Sequence, residues 1–421
     1  MSVARRRRAL LIAAPVLVAA AVALVLLLRG GKDTAPPAPR VPTGIEPLAF
    51  MPPGADVVLD LDTDVPSIAI AAAQLVPRLP GSTLTAAQVQ PLVGSRMAIA
   101  LDGGRMWLAA ITRAPAPPGA VKRGGTVVVG PAPVTPADGA RAAFDRRFTG
   151  LPRSSARVAF DAHALLAGRS PEAAATRWGR SLRAGAAVLV SRGERVVLPF
   201  KVAADPSGVA LSDLPVPAGT AVPRMQGSGP IVAAVRSPAQ TLAFLRAAGL
   251  LSALDVLDRA PGFLRPDLSD LGPDATITTP DLRVFTVRAT PRDPGDWSTK
   301  LARLDALSGL IRFTGVADVR IDHARDGAYT IVQNGRLAGR AGVYGRTLVL
   351  STDPRADLPA AARAPLRPAP AGAAGALTLR LAPALFGELL PALVRDRVGD
   401  VAGWARTSLT GVRGELGVAV R

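Results

Sequence analysis

Four aspartates in the stretch "DVVLDLDTD" are the residues of this chain whose types and spacing best suit chemistry. They are Asp56, Asp60, Asp62 and Asp64, and the last three occupy alternate positions after an apolar run. In such a run one carboxylate could attack a phosphate while a second acts as acid and base. Three carboxylates together could instead hold a metal ion. The structural alternative is the end of a β-strand, with Asp62, Thr63 or Asp64 capping the next helix.

The "DLDTDV" run resembles the first motif of the haloacid-dehalogenase phosphatases, but the other parts of that chemistry do not follow it. The family also needs a lysine and a later acidic pair for Mg²⁺, whereas the chain has four lysines and no "GDxxxD" pattern. A calcium loop would need a glycine and a later glutamate, which "VPSIAIAAAQ" does not supply. The sequence therefore favours a strand end whose Asp60 and Asp62 point outward. Asp60 and Asp62 remain catalytic candidates, and Asp60, Asp62 and Asp64 remain metal candidates.

The composition narrows the classes of function further. There are no cysteines among the 421 residues, which excludes disulfides, thiolate metal sites and a cysteine nucleophile. The two histidines, His163 and His323, are interpreted as structural, the first at a cap or surface position and the second at the end of a hairpin. No GxSxG or phosphate-loop motif occurs. No assembled catalytic set is found, so the sequence predicts neither an enzyme nor a cofactor.

The formal charge of +18 comes almost entirely from arginines scattered through an Ala-, Gly- and Pro-rich chain, and aromatic residues make up 4% of it. Nucleic-acid binding usually requires clustered cations with stacking side chains, so nucleic acid is not an expected partner. A cationic body could instead associate with anionic envelope polymers or lipid headgroups. An envelope protein is a further candidate partner, and the oligomeric state is left open.

The amino terminus has the features of a membrane anchor. Residues 1–8 form a basic tail that contains "RRRR", and 9–28 are twenty residues without a charge. Twenty helical residues rise about 30 Å, the thickness of the hydrocarbon core. Arginines before the span favour a cytoplasmic tail and an extracytoplasmic body. The alternative is a cleaved signal peptide, for which "AVA" at 21–23 would serve as the cleavage site.

A proline-rich segment, residues 29–47, follows the anchor. Proline favours extended polyproline geometry, in which a segment of this length reaches up to about 50 Å. The segment is therefore predicted to be a stalk between the membrane and the body.

The remaining chain has the pattern of an internal duplication, with a first lobe at 48–206, a linker at 207–228 and a second lobe at 229–421. "GADVVLDLDTDVPSIAIAAAQL" and "GPIVAAVRSPAQTLAFLRAAGL" both start with a β-branched run and continue into an Ala/Leu-rich stretch. Aligning them places Ala234, Arg236 and Pro238 opposite Asp60, Asp62 and Asp64, so the acids have no counterparts. Ser237 is predicted to cap a helix that begins at Pro238, and Pro66 lies near the start of the corresponding first helix.

Hairpin patterns interspersed with helical ones predict an α+β fold with mainly antiparallel sheets in both lobes. Three turn signals between short apolar runs predict a β-meander over 328–351. The spacing of apolar residues predicts helices over 66–78, 138–147, 170–183, 238–260, 295–309 and 383–409.

Apolar patterns with proline and glycine in the body resemble those of a known family. "LAFMPPGADVVLDLD" at its start, "TLVLSTDP" before a helix and the closing "TSLTGVRGELGVAV" are similar to bacterial exported proteins of the domain of unknown function 3352 family. The resemblance implies a bacterial envelope location and a duplicated α+β body, and it supplies no catalytic residues.

The sequence thus predicts a single-pass protein of the cell membrane whose extracytoplasmic body binds or scaffolds partners in the bacterial envelope. Two alternatives stay open. One is an exported carboxylate-dependent, phosphatase-like hydrolase, and the other is a carrier of an apolar ligand or lipid.

Overall fold

The computed structural model describes residues 44–131, 135–193, 195–249, 270–280, 284–313, 319–333, 335–386 and 398–420. The predicted anchor at 9–28 and the stalk as far as residue 43 lie outside the described residues. Within the described ranges, no helix is both long enough and apolar enough to cross a bilayer.

Short strands make up most of the described body, and several of them are buried on both faces. Those that precede residue 205 are β1 (Val57–Asp62), β2 (Arg96–Asp102), β3 (Arg105–Ile111), β4 (Val121–Arg123), β5 (Thr126–Val129), β6 (Ala156–Asp161), β7 (Leu182–Val188), β8 (Val190–Arg192) and β9 (Arg195–Ala204). Those that follow are β10 (Met225–Gln226), β11 (Ile231–Arg236), β12 (Asp274–Thr279), β13 (Thr286–Ala289), β14 (Val319–His323), β15 (Tyr329–Gln333), β16 (Arg336–Tyr344), β17 (Thr347–Ser351), β18 (Leu366–Arg367), β19 (Leu377–Leu381), β20 (Val398–Ser408) and β21 (Gly411–Val420).

The strands pair antiparallel into one long sheet, which confirms the expected α+β class. Its order is β4-β5-β3-β2-β1-β6-β7-β9-β21-β20-β19-β11-β12-β13-β17-β16-β15-β14, with β8 paired to one end of β9. Strands β10 and β18 form a separate two-stranded ribbon. The predicted meander is confirmed, since β15, β16 and β17 pair in sequence.

Helices are short, apart from one of five to six turns. They are α1 (Pro66–Leu75), α2 (Ala86–Val89), α3 (Ala140–Arg146), α4 (Ala162–Arg169), α5 (Pro171–Ala174), α6 (Arg177–Ser181), α7 (Pro238–Ala247), α8 (Pro294–Phe313) and α9 (Leu358–Ala362). Proline is the first residue of both α1 and α7, where its missing N–H is not needed and its fixed φ suits the helix.

Most helices cover one face of the sheet, called here the helix face. On β1 this face carries Val57, Leu59 and Leu61, which pack with Ile68 of α1 and the residues around α2. Trp178 of α6 and Phe244 of α7 pack on the middle of the same face, and Trp297 of α8 packs beyond them. Burial of these apolar side chains is the main force that holds the helices to the sheet.

The opposite face, called here the second face, carries Val58 and Asp60 on β1 and has two separate covers. A 3-10 turn at Pro47–Phe50 and helix α3 close it over β1 and its neighbouring strands, where Phe50, Phe144 and Phe148 form a core. The β10–β18 ribbon closes it over β11, where Met225 packs with Val232 and Ala234. Between the two covers, the central strands β9, β21 and β20 present this face more openly.

The helix predicted over 383–409 is wrong where the structure describes it. Residues Pro383–Phe386 form a 3-10 turn, and 398–408 form strand β20. A register shift between Val398 and Val401 inserts one extra residue in β20, so both valines lie opposite alternate residues of β21 and share a face. A spacing of three along a strand thus imitated the helical period. Residues 387–397 lie outside the described part.

Two other predicted helices have different extents. The segment 170–183 divides into α5 and α6, and its last residues open strand β7. The helix predicted over 238–260 ends at Ala247, and residues 250–260 lie outside the described part. The predicted linker at 207–228 contains Leu214 and Val216, which are both buried, and the strand β10.

Candidate functional site

Asp60 lies on the second face of β1 and is buried, with 4% of its surface exposed. The expectation that it points outward is therefore wrong. Alternation along β1 sends its apolar neighbours to the helix face, and the 3-10 turn and α3 cover the side that was expected to be solvated.

Two arginines surround the Asp60 carboxylate. Arg157 lies directly opposite on β6, and its Nε donates to Asp60 Oδ2 at 3.1 Å while its Nη2 contacts the same oxygen. Arg141 of α3 donates from Nη1 to Oδ2 at 3.0 Å. The Arg157 guanidinium also lies over the rings of Phe144 and Phe148, 5.2 and 5.1 Å from their centroids. Such cation–π contacts add to the stabilisation of a desolvated cation.

Two further acids extend this group into a network. Asp145 accepts from Arg157 Nη1 at 2.8 Å, and Arg141 Nε lies 3.3 Å from its other oxygen. Glu46, just before the 3-10 turn, pairs with Arg96 at 3.4 Å and Arg141 at 3.7 Å. The network thus connects the segment before the 3-10 turn, helix α3, and strands β2 and β6 to β1.

The pKa values of this network follow from its packing. Burial alone would raise the pKa of Asp145, but the hydrogen bonds and charges of Arg157 and Arg141 hold it below its ordinary value. Burial likewise disfavours the charged form of Arg157, yet its contacts with Asp60 and Asp145 raise its pKa overall. Both shifts favour the ionised pair.

The other two aspartates do not join Asp60 in a site. Asp62 is half-buried at the end of β1 opposite Arg96, and Asp64 lies beyond the strand. Burial and the nearby charge of Asp62 raise the pKa of Asp64. Across the described ranges, no three acidic or histidine side chains are grouped so that they could hold a metal ion. A nucleophile needs an accessible carboxylate, so the arginine contacts of Asp60 fit a structural role better than a catalytic one.

The predicted helix caps are also different. Val65 occupies the N-cap position of α1, with no side-chain cap bond, while Thr63 Oγ1 donates to the carbonyl of Ser95 at 2.8 Å. Ser237 occupies the N-cap position of α7 as predicted, but its φ is 51° and its side chain caps nothing. The prolines, and not side-chain caps, therefore mark both helix starts.

The two histidines have structural contacts. His163, the second residue of α4, places Nδ1 3.0 Å from the carbonyl oxygen of Gly179. His323 ends β14 in the predicted hairpin and stacks on Tyr329 with 4.6 Å between centroids. The neighbouring Asp322 and Asp326 pair with Arg320 and Arg340.

Sequence reasoning missed a group of cations on the second face of the central strands. Arg406 of β20 lies opposite Arg413 of β21, which lies opposite Lys201 of β9. Directly opposed residues of antiparallel strands share a face, so the three side chains form one row. Burial and the charge of Arg413 lower the pKa of Lys201. Arg413 and Glu415 stand at alternate positions in "VRGELGV", which weakly indicates that charged side chains share one face of this strand. No sign of the row itself is present in the sequence, because the row joins segments some 200 residues apart.

A cleft of about 380 Å³ lies farther along the same strands. Its charged lining consists of Arg195 of β9, Arg380 of β19 and Asp400 of β20, with Arg380 and Asp400 3.6 Å apart. Small residues make up the rest of the lining, namely Ala369, Pro370, Ala371, Gly399, Ala402 and Ala419. The row and the cleft together are called the central trough.

Comparisons with known proteins add little to this geometry. No protein-family model matches the chain, and no curated protein matches it. Among solved structures, crystal forms III, IV and I of the treponemal protein TP0453 are similar to it at 10, 11 and 12% identity, with TM-scores of 0.25, 0.23 and 0.24. The matched regions cover 40, 38 and 40% of this chain and 83, 81 and 82% of the respective TP0453 chains. Likeness at such TM-scores carries no argument about fold or function.

Proposed function

We propose that this chain is a single-pass membrane protein of the bacterial envelope whose extracytoplasmic body binds or scaffolds a partner. The observation that carries the proposal is the amino-terminal order of four arginines, Arg5 to Arg8, then twenty uncharged residues, then a proline-rich stalk. This order matches the length of a bilayer span and the charge asymmetry that orients one. The resemblance to the domain of unknown function 3352 family is part of the same proposal.

The body offers support for binding rather than hydrolysis. Asp60, the leading catalytic candidate, is enclosed by Arg141 and Arg157 and connects the second-face cover to the sheet. The central trough, by contrast, presents cations and a cleft on a more open part of the same face. A surface with an excess of positive charge attracts anionic ligands, which supports a binding function.

We further propose that the two lobes arose by internal duplication. In support, β1 lies between β2 and β6, and β11 lies between β12 and β19 in the same antiparallel sense. Strands β1 and β11 each have six residues, and each leads into a ten-residue helix that begins with proline. The matched final strands, β9 and β21, pair with each other at the centre of the sheet. Superposition of the lobes in an experimental structure is the test, and unrelated backbone paths would refute the duplication.

The membrane proposal can be tested with single cysteines, because the natural chain has none. Ser207→Cys lies in an exposed turn of the body, and Ser2→Cys lies in the basic tail. In intact cells, a small membrane-impermeant maleimide should label the first variant and should label the second after lysis alone. The protein should stay in the membrane pellet after an alkaline carbonate wash. Soluble protein, or equal labelling of both variants, contradicts the proposal.

Mass spectrometry of the mature chain distinguishes an anchor from a cleaved signal peptide. An anchored chain retains residues 9–28, whereas cleavage at "AVA" leaves a chain that begins after Ala23. A shortened chain would remove the anchor while leaving an exported body in place.

A further inference from the structure

The row of Arg406, Arg413 and Lys201 puts like charges directly opposite one another on neighbouring strands. Directly opposed like charges destabilise a sheet. In the part of the chain that the structure describes, neither Arg406 nor Arg413 forms an ion pair, and Lys201 Nζ donates to the carbonyl oxygen of Thr149. The fold thus maintains three cations in a row without a carboxylate to offset them.

Two further arginines lie on the same face, at the cleft. Arg195 lies opposite Ala419, and its guanidinium lies over Gly417, where a β-carbon would be 2.7 Å from Nη2. Arg380 lies opposite Ala402 on β20. Within the described residues Arg195 has no ion-pair partner, whereas Arg380 has Asp400 at 3.6 Å. Small residues between the two arginines leave room for a ligand above the strands.

Two other side chains, Glu415 and Trp404, lie on this face between the row and the cleft. Glu415 lies between the row and the cleft and is paired with Arg192 at 2.9 Å. Trp404 lies opposite Glu415, and its buried Nε1–H has no acceptor among the described residues. The face therefore keeps an excess of cations despite Glu415.

We propose that the central trough binds a soluble chain of linked phosphate groups. The proposal deepens the binding function above by naming its ligand class. Guanidinium groups suit phosphate oxygens because their N–H donors match them in pairs. From Arg406 on β20 to Lys201 on β9 the row spans two strand spacings, roughly 10 Å, which exceeds one phosphate. The cleft farther along the same strands is concave, with the Ala369–Ala371 loop as one wall, which suits a flexible chain better than a planar bilayer.

Calorimetric titration of the full-length protein in detergent provides the test, with tripolyphosphate and inorganic phosphate as probes. Tripolyphosphate should bind at least tenfold more tightly than phosphate. The double variant Arg406→Gln/Arg413→Gln should weaken tripolyphosphate binding at least tenfold. It should also lower the slope of log K against log salt by about two, one for each lost contact. The matched control Arg123→Gln/Arg355→Gln removes two exposed cations outside the trough and should leave both quantities unchanged.

The trough variant should be at least as stable to urea as the natural protein, because it removes opposed like charges. Weaker binding in a protein of undiminished stability is the signature of a ligand site. Absence of tripolyphosphate binding at low salt, or equal weakening in the two double variants, overturns the proposal.

Reconstitution into phosphatidylglycerol nanodiscs tests the bilayer as an occupant. If anionic lipid weakens tripolyphosphate binding in the natural protein but not in the trough variant, lipid fills the trough and the proposal fails. These titrations do not depend on the cellular location, so their failure is distinct from a failure of the labelling experiment.

Discussion

Arg157 lies directly opposite Asp60 on the neighbouring strand, and the two form an ion pair beneath a cover of two phenylalanine rings. The pair is enclosed from both sides, since 14% of the Arg157 side chain and 6% of the Asp60 side chain are exposed. Removal of one partner from a buried pair leaves the other without compensation, which costs more than the pair itself contributes. Asp60 is therefore expected to matter for folding.

We predict that Asp60→Asn lowers the free energy of unfolding by about 3 kcal/mol, because it removes the most buried carboxylate of the network and leaves Arg141 and Arg157 only the more exposed Asp145 and Glu46. Asp62→Asn is the matched control on the same strand. Asp62 is half-buried and is not part of the ion pair, so its loss should cost less than about 1 kcal/mol. Urea unfolding followed by circular dichroism measures both. Equal losses of unfolding free energy in the two variants would show that the Asp60 network does not contribute more to stability than an ordinary surface carboxylate.

The same variant tests the phosphatase alternative. We expect natural protein and Asp60→Asn to give the same background hydrolysis of phosphate esters with Mg²⁺, since the carboxylate is occupied by arginines. The comparison is made under conditions where both proteins are folded. A rate in the natural protein that the variant loses would restore a catalytic role for Asp60.

The pH dependence of stability should differ in sign between Asp145 and Asp64. The pKa of Asp145 is lowered in the folded state, so its contribution is present at neutral pH and is lost as the pH falls through that value. Asp145→Asn should therefore be less stable than the natural protein near pH 7, and the difference should start to shrink as the pH falls below the ordinary value of about 3.9 and vanish below the lowered pKa.

The pKa of Asp64 is raised, so the folded state holds its proton more tightly than the unfolded state. Ionised Asp64 thus opposes folding at neutral pH, and the penalty disappears as the pH falls below the ordinary range. Asp64→Asn should be more stable than the natural protein near pH 7 and equal to it in acid. Urea midpoints measured from pH 3 to 7 test both variants, and shifts of the same sign would contradict the assignment.

The strands and their hairpins could be predicted because they depend on local alternation and turn residues. Pro66 and Pro238 marked the helix starts for the same local reason. The burial of Asp60 could not be predicted, because it depends on α3 and the 3-10 turn, which cover the second face from distant parts of the chain. The sequence of β1 gives the face of each residue but not what covers that face.

The central trough shows the same limit more strongly. Lys201 and Arg413 meet only because β9 pairs with β21, a contact that no local pattern encodes. The bulge in β20 had a further effect, since it gave a strand the apolar spacing of a helix. Tertiary pairing decided both outcomes.

Cleavage of the connection after β9 should leave the two fragments associated. Nine residues of β21 pair with β9, and Trp178 of the first fragment packs edge-on against Phe244 of the second at 6.4 Å. Leu214 lies in the same core. A protease site inserted between Ser207 and Gly208, in an exposed turn, allows the cut in the folded protein. The fragments should elute together in gel filtration and should separate in urea. Separation without denaturant would show that the central pairing is weak.

Ser237 has the positive φ of 51° at the start of α7, and its side chain makes no cap bond there. A left-handed conformation costs a residue with a β-carbon about 1–2 kcal/mol, whereas glycine adopts it freely but loses about 0.5–1 kcal/mol of chain entropy. Ser237→Gly should therefore raise the free energy of unfolding by about 0.5 kcal/mol. Ser170 is the matched control, because its Oγ accepts from Ala173 N at 3.2 Å and its φ is −141°. Ser170→Gly should lower the free energy of unfolding by a few tenths of a kcal/mol. The opposite signs, measured by urea unfolding, separate backbone strain at Ser237 from loss of a cap, and destabilisation by both variants would refute the strain.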